Sequence, residues 1–121
     1  MPAQSEFVTY LVEQLAPLGE VSAKSMFGGF GIYHEGRMFA LVADDTFFIK
    51  VDDANRSDFE REGLQPFRYS RAGREVAAMS YYQPPAAAID DRELLCEWAR
   101  KGIEAAARAA QKGRVKKRRV K

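Results

Sequence analysis

Phe7, Leu11 and Leu15 recur four residues apart, with Val8 and Ala16 beside them and Glu6, Glu13 and Gln14 outside the stripe. One apolar stripe of this period predicts an amphipathic helix over residues 5–16, with Ser5 as N-cap and Pro17 and Gly19 as the stop. From Val21 to Val51 the pattern changes to short runs rich in aromatic and β-branched residues: Ser25–Phe27, Phe30–Tyr33, Met38–Val42 and Phe47–Val51. Small turns at His34–Arg37 and Ala43–Thr46 separate them. Links this short predict three or four antiparallel strands in a meander, since parallel pairing needs long crossovers. In the last run Phe47, Ile49 and Val51 share one face, and Phe48 and Lys50 share the other.

Residues 53–62 read as a short exposed helix with Ala54 and Phe59 as apolar anchors and Gly63 as its end. Phe67–Ser70 and Glu75–Tyr82, joined at Ala72–Gly73, predict a further hairpin. After Pro84–Pro85, Asp90 and Glu93 fit a capping box, and Ile89 and Leu94 fit a hydrophobic staple. Leu94, Leu95, Trp98, Ala99, Ile103, Ala106 and Ala110 then mark a last helix that stops at Gly113. The expected class is α+β: a two-layer domain with an antiparallel sheet, its first and last helices packed on one sheet face.

The chain has 121 residues, 46% of them apolar and 30% charged, which fits a single domain. One cysteine, Cys96, permits no internal disulfide. No apolar run reaches the roughly 18–20 residues of a membrane span, and Met1–Glu6 lacks the basic and apolar segments of a secretory signal. These features argue against a multidomain enzyme, a disulfide-rich secreted module and a transmembrane protein, and they favour a cytoplasmic location.

Charge divides the chain more sharply than its net of +2 suggests. Residues 112–121 hold seven cations (Lys112, Arg114, Lys116, Lys117, Arg118, Arg119 and Lys121) and no acid. Residues 1–111 hold 12 basic and 17 acidic residues, a net of −5. The expected organisation is a folded domain over 1–111 and a basic, disordered tail over 112–121. The tail suits either solubility or salt-sensitive, nonspecific attraction to nucleic acid, an anionic membrane surface or an acidic protein, with weak nucleic-acid contact foremost among these.

Gly28, Gly29 and Gly31 read as a structural turn, because the segment is neither a P-loop nor a dinucleotide fingerprint opening a helix. His34 is the sole histidine, and Cys96 has no sequence neighbour for zinc, so no metal or cofactor is expected. Asp44-Asp45 and Asp52-Asp53 read as a turn and a helix cap. Among the aromatics, Phe48, Tyr81 and Tyr82 are candidates for an interaction surface, for a partner protein or for stacked bases. Phe47 and Phe48 point to opposite faces, so one-sided helices leave one of them for a second copy of the chain to cover.

Lys24–Tyr33 (KSMFGGFGIY), Gly36–Val42 (GRMFALV), Phe48–Asp52, Pro66-Phe67 with Tyr69, Met79–Tyr82 and Leu94-Leu95 with Glu97–Ala99 follow one another in an order that resembles the N-terminal domain of the TfoX/Sxy family. The resemblance implies an α-β-β-β-α-β-β-α order. It also implies a bacterial regulator of competence genes that acts with a cyclic-AMP-responsive transcription factor, and it supplies no catalytic residue and no cofactor to carry over. Unlike the full-length family pattern, this sequence ends in the basic tail without the second, helical domain. A stand-alone, non-enzymatic regulatory or protein-interaction module is therefore expected. The alternative is direct nucleic-acid binding by the tail or by a folded surface bearing Arg37, Lys50, Arg68, Arg71 or Arg74. A small enzyme would have to gather His34, Cys96 or the acidic pairs in one cleft, and their spacing gives that no support.

Overall fold

The computed structural model describes residues 5–26 and 28–119, with side chains to residue 112. Helix α1 spans Glu6–Gln14, and the Ser5 hydroxyl accepts from the Val8 N–H at 3.1 Å, as expected of an N-cap. A 3₁₀ turn at Ala16–Leu18 carries Pro17 at its start and ends the helical segment. Four strands follow: β1 (Val21–Met26), β2 (Gly29–His34), β3 (Arg37–Ala43) and β4 (Thr46–Lys50). Helix α2 (Arg56–Arg61), the hairpin β5 (Pro66–Arg71) and β6 (Arg74–Tyr82), and helix α3 (Arg92–Arg119) complete the fold.

All six strands form one antiparallel sheet in the order β1-β2-β3-β4-β6-β5. The first meander thus has four strands, which corrects the three-strand order implied by the resemblance. The extra strand is β1, where Ser22, Lys24 and Ser25 interrupt Val21 and Ala23. An edge strand tolerates this polarity, so it leaves little apolar signal in the sequence.

One sheet face meets the helices. Val8, Leu11 and Leu15 of α1, Leu95, Trp98 and Ala99 of α3, and Ile32, Val42, Phe47 and Ile49 of the sheet belong to one buried cluster. Phe59 brings α2 into it, its ring 5.0 Å from Trp98 and 5.8 Å from Tyr82. The last carbonyls of α1, which lack helical partners, accept from α3. Arg92 Nη2 donates to the Glu13 carbonyl at 2.7 Å, and Cys96 Sγ donates to that of Gln14 at 3.5 Å.

Two helix boundaries differ from expectation. A 3₁₀ turn takes up Ala86–Asp90, so the cap moves to Asp91, whose carboxylate accepts from the Leu94 N–H at 3.1 Å. The backbone of α3 also continues through Gly113 to Arg119. Glycine weakens a helix interior by only about 1 kcal/mol, too little to force a stop. The side chains of Arg114, Lys116, Lys117, Arg118 and Arg119, and the whole of Lys121, lie outside the described residues, and so does the expected disorder of that segment.

Candidate interaction surfaces

Of the groups that could carry chemistry, His34, Cys96 and Asp52 are each held by a structural partner. His34 Nε2 lies 2.9 Å from the Leu18 carbonyl oxygen, and its ring stands edge-on to Phe39. Cys96 is buried under α1, and burial pushes its thiol above the usual range. Asp44 and Asp45 occupy the left-handed region at φ 55° and 56° and form the β3–β4 turn. Among the described residues no three His, Cys, Asp or Glu side chains gather to hold a metal ion, and no helix is long and apolar enough to cross a membrane.

Asp52 serves as a structural clasp. Its carboxylate accepts from Arg108 Nε at 2.7 Å and Nη2 at 2.9 Å, and from the backbone N–H groups of Ala54 and Asn55. The Arg108 hydrogen bonds hold the Asp52 carboxyl below its usual range, against the opposing effect of desolvation. Arg108→Ala therefore costs about 1 kcal/mol, the upper end for a solvent-accessible pair. The native pair contributes fully above the unfolded carboxyl value of about 3.9 and is lost as pH falls through the lower folded value. Urea melts of both proteins at neutral and acid pH check this, and the gap between them closes on the acid side.

Of the expected glycine turn, only Gly28 turns the chain, at φ +80°, where an L side chain is strained. Gly29 and Gly31 are strand residues, correcting that expectation. A Cβ on Gly29 would collide with the Val42 carbonyl oxygen. One on Gly31 would stand 2.8 Å from Met26 Sδ and 3.1 Å from both Met38 Sδ and Tyr33 Cε1. Gly31 thus leaves room for three large side chains to converge on the sheet face away from the helices.

The expected surface of Phe48, Tyr81 and Tyr82 is split by the fold. Tyr82 is 2% exposed on the helix side, where its hydroxyl donates to Glu60 at 3.2 Å. Phe48 does point away from the helices, yet it is only 6% exposed, because Phe67 packs edge-on at 5.0 Å. The cover expected from a second copy is supplied by the chain's own hairpin. Tyr81 remains on the open face, half-buried opposite Lys50. Burial, with Tyr33 alongside, pushes its phenol up.

The open face therefore centres on Met26, Tyr33, Met38, Leu41 and Tyr81, all partly accessible. Phe67 closes one side, leaving a depression of about 170 Å³ against Met26, Leu41 and the Gly28–Phe30 backbone. The opposite layer has a separate notch of about 360 Å³, lined by Pro17, Leu18, His34, Arg100, Ile103 and Glu104. Its apolar centre between one cation and one anion was invisible in the sequence, because three distant segments build it. Of the tail cations, Lys112 is exposed and the others fall outside the described side chains.

The TfoX N-terminal domain family model matches residues 13–106, from the end of α1 through about the first half of α3. The DNA transformation protein TfoX1 of Aliivibrio fischeri is 31% identical over 65 residues, covering 54% of this chain and 31% of that protein. The matched segment thus spans about a third of that relative's length. With a family match over most of the domain, the chain belongs to the TfoX N-terminal domain family.

Proposed function

We propose that this domain is a bacterial regulatory module in the control of DNA transformation, acting by docking a protein partner rather than by catalysis. The observation that carries the reading is the commitment of His34, Cys96 and Asp52 to structural hydrogen bonds, alongside formed surfaces free of such duties. The relative named as a DNA transformation protein supplies the process. The notch around Leu18 and Ile103 suits a protein, since an apolar centre flanked by Arg100 and Glu104 offers contacts of both signs. Expressed in an Aliivibrio fischeri strain lacking its own TfoX1, the chain raises the number of transformants above the empty vector. Arg100→Glu, an exposed change at the notch, abolishes the rise without shifting the melting temperature. No rise with the unaltered chain would remove the transformation role, and an unaffected Arg100→Glu would remove the notch.

A second reading rests on the cations of residues 112–121, which suit weak nonspecific nucleic-acid contact. Reversing Lys116, Lys117, Arg118 and Arg119 together to Glu weakens duplex binding and flattens its log–log salt slope by about 3–4, one phosphate per charge. Fluorescence-polarisation titrations at low and physiological salt measure both quantities. Unchanged affinity and slope would sink the tail reading.

A further inference from the structure

The sheet has a charge distribution of its own. In a body of net −5, the six strands carry six cations (Lys24, Arg37, Lys50, Arg68, Arg71 and Arg74) and one acid, Glu75. The register sorts them further. Lys24 pairs with Gly31, and Lys50 pairs with Tyr81, so both rise from the open face. Arg71 faces Arg74 across the hairpin, on the side of Phe67 and Tyr69, which turns toward Phe48. Glu75 pairs with Ser70 and lies on the other side of the ribbon. The open face thus gathers four cations, and no strand position on it holds a carboxylate.

Two of those cations sit over aromatic rings. Lys24 Nζ is 5.0 Å from the Tyr33 ring centre, and Lys50 Nζ is 5.5 Å from that of Tyr81. Both tyrosines are partly accessible. An aromatic ring with a cation close to it brings together the stacking and phosphate contacts that a single-strand site uses. Protection of a sheet edge explains the arginines of the β5–β6 hairpin, where β6 pairs with β4 only at Tyr81 and Tyr82, but not Lys50 on inner β4. Directly opposed like charges such as Arg71 and Arg74 destabilise a hairpin, and neither forms an ion pair among the described residues. A polyanion would relieve that repulsion. The adjoining depression of about 170 Å³ has room for a base but not for a duplex.

We propose that the open sheet face, with Tyr33 and Tyr81 as stacking platforms and Lys24, Lys50, Arg71 and Arg74 as phosphate contacts, binds single-stranded nucleic acid. The proposal rests on the nucleic-acid reading above only for its ligand class, and it places the specificity in the folded face rather than the tail.

The test is fluorescence anisotropy of the full chain with a labelled oligothymidylate of about 15 nucleotides, a duplex of equal length and an oligoglutamate peptide, across a salt series. The single strand binds most tightly. Neutralising Lys24, Lys50, Arg71 and Arg74 to Gln weakens it at least about tenfold and lowers the salt slope by about 3. Arg71→Gln with Arg74→Gln alone, on the exposed hairpin, gives about half that slope change without lowering the melting temperature, since it removes a like-charge pair. Tyr81→Ala weakens binding about tenfold at unchanged slope, whereas Tyr81→Phe retains it. Reversal of the tail lowers affinity for strand and duplex alike and leaves the preference intact. Absence of single-strand binding, equal or tighter binding of duplex or oligoglutamate, an unaffected hairpin variant, or loss of the preference on tail reversal alone would overturn the proposal. In that last case the tail reading would stand by itself.

Discussion

Gly102→Ala is expected to destabilise the domain by about 2 kcal/mol, although alanine is the better helix former. Gly102 lies where α3 crosses the sheet. A Cβ there would stand 2.7 Å from Ile49 Cγ2, 2.7 Å from the Phe39 carbonyl oxygen and 3.3 Å from the Lys50 backbone nitrogen. The Ile49 methyl could rotate away, but the two backbone atoms belong to β3 and β4 at the centre of the sheet and cannot. The helix would have to lift off, loosening Ala99, Trp98 and Ala106 from the core together. Alanine gains about 1 kcal/mol from propensity, while overpacking a core contact costs about 1–3 kcal/mol, and two backbone obstructions put this site at the upper end, about 3 kcal/mol. Sterics decide the sign because the obstruction is backbone. For a domain of this size the melting temperature should fall by roughly 8 °C. A variant as stable as the native chain, or more so, would show that α3 does not approach the sheet this closely.

The same helix shows what the sequence could reveal. Its apolar stripe was legible, as was α1 with its cap, because a period near four over three turns has one reading. The second hairpin was legible from its turn. Strand β1 was legible only at its end, in the Ser25–Phe27 run, since an edge strand of alternating Val, Ser, Ala and Lys is no more apolar than a loop. Gly102 gave no signal either, because a glycine inside a helical stripe looks like a defect until its neighbours across the sheet are known.

The candidate surfaces were partly legible. Phe47 and Phe48 were rightly placed on opposite faces, but the hairpin that covers Phe48 is a tertiary event. Tyr82 was grouped with Tyr81 by adjacency, although neighbours in a strand point to opposite faces. The charge sorting could have been found by counting charges strand by strand rather than over residues 1–111, where the acids of helices and loops conceal it. The notch at Leu18 and Ile103 needed the fold.

Asn55→Asp, a change of one amide nitrogen to oxygen, is expected to cost about 3 kcal/mol at neutral pH and much less in acid. Asn55 is 4% exposed. Its Oδ1 accepts from the Asp52 N–H at 2.8 Å, and its Nδ2 donates to the carbonyls of Lys101 at 3.0 Å and Lys50 at 3.4 Å. One side chain thereby ties the end of β4 and the start of α2 to the middle of α3. With a carboxylate there, both donors become acceptors aimed at carbonyl oxygens. Each unsatisfied buried group costs about 1–3 kcal/mol, and burial of the charge adds to it. The nearby cations are already engaged, Arg108 with Asp52 and Lys101 with Asp58 at 3.1 Å.

The acid form could restore one donor, so the folded variant holds its proton above the usual carboxyl value of about 3.9. Between that value and the raised one, the folded state binds more protons than the unfolded state, and stability falls as pH rises. Asp52 in the native chain has the opposite sign: its carboxyl is lowered by Arg108, and its contribution disappears as pH falls. Asn55→Ala supplies the reference, with a loss of about 2 kcal/mol that does not vary with pH. Urea melts of the three proteins at neutral pH and near pH 4.5 separate the effects. If Asn55→Asp and Asn55→Ala lost the same stability at both values, the two carbonyl bonds of Asn55 would not be what joins α3 to the sheet.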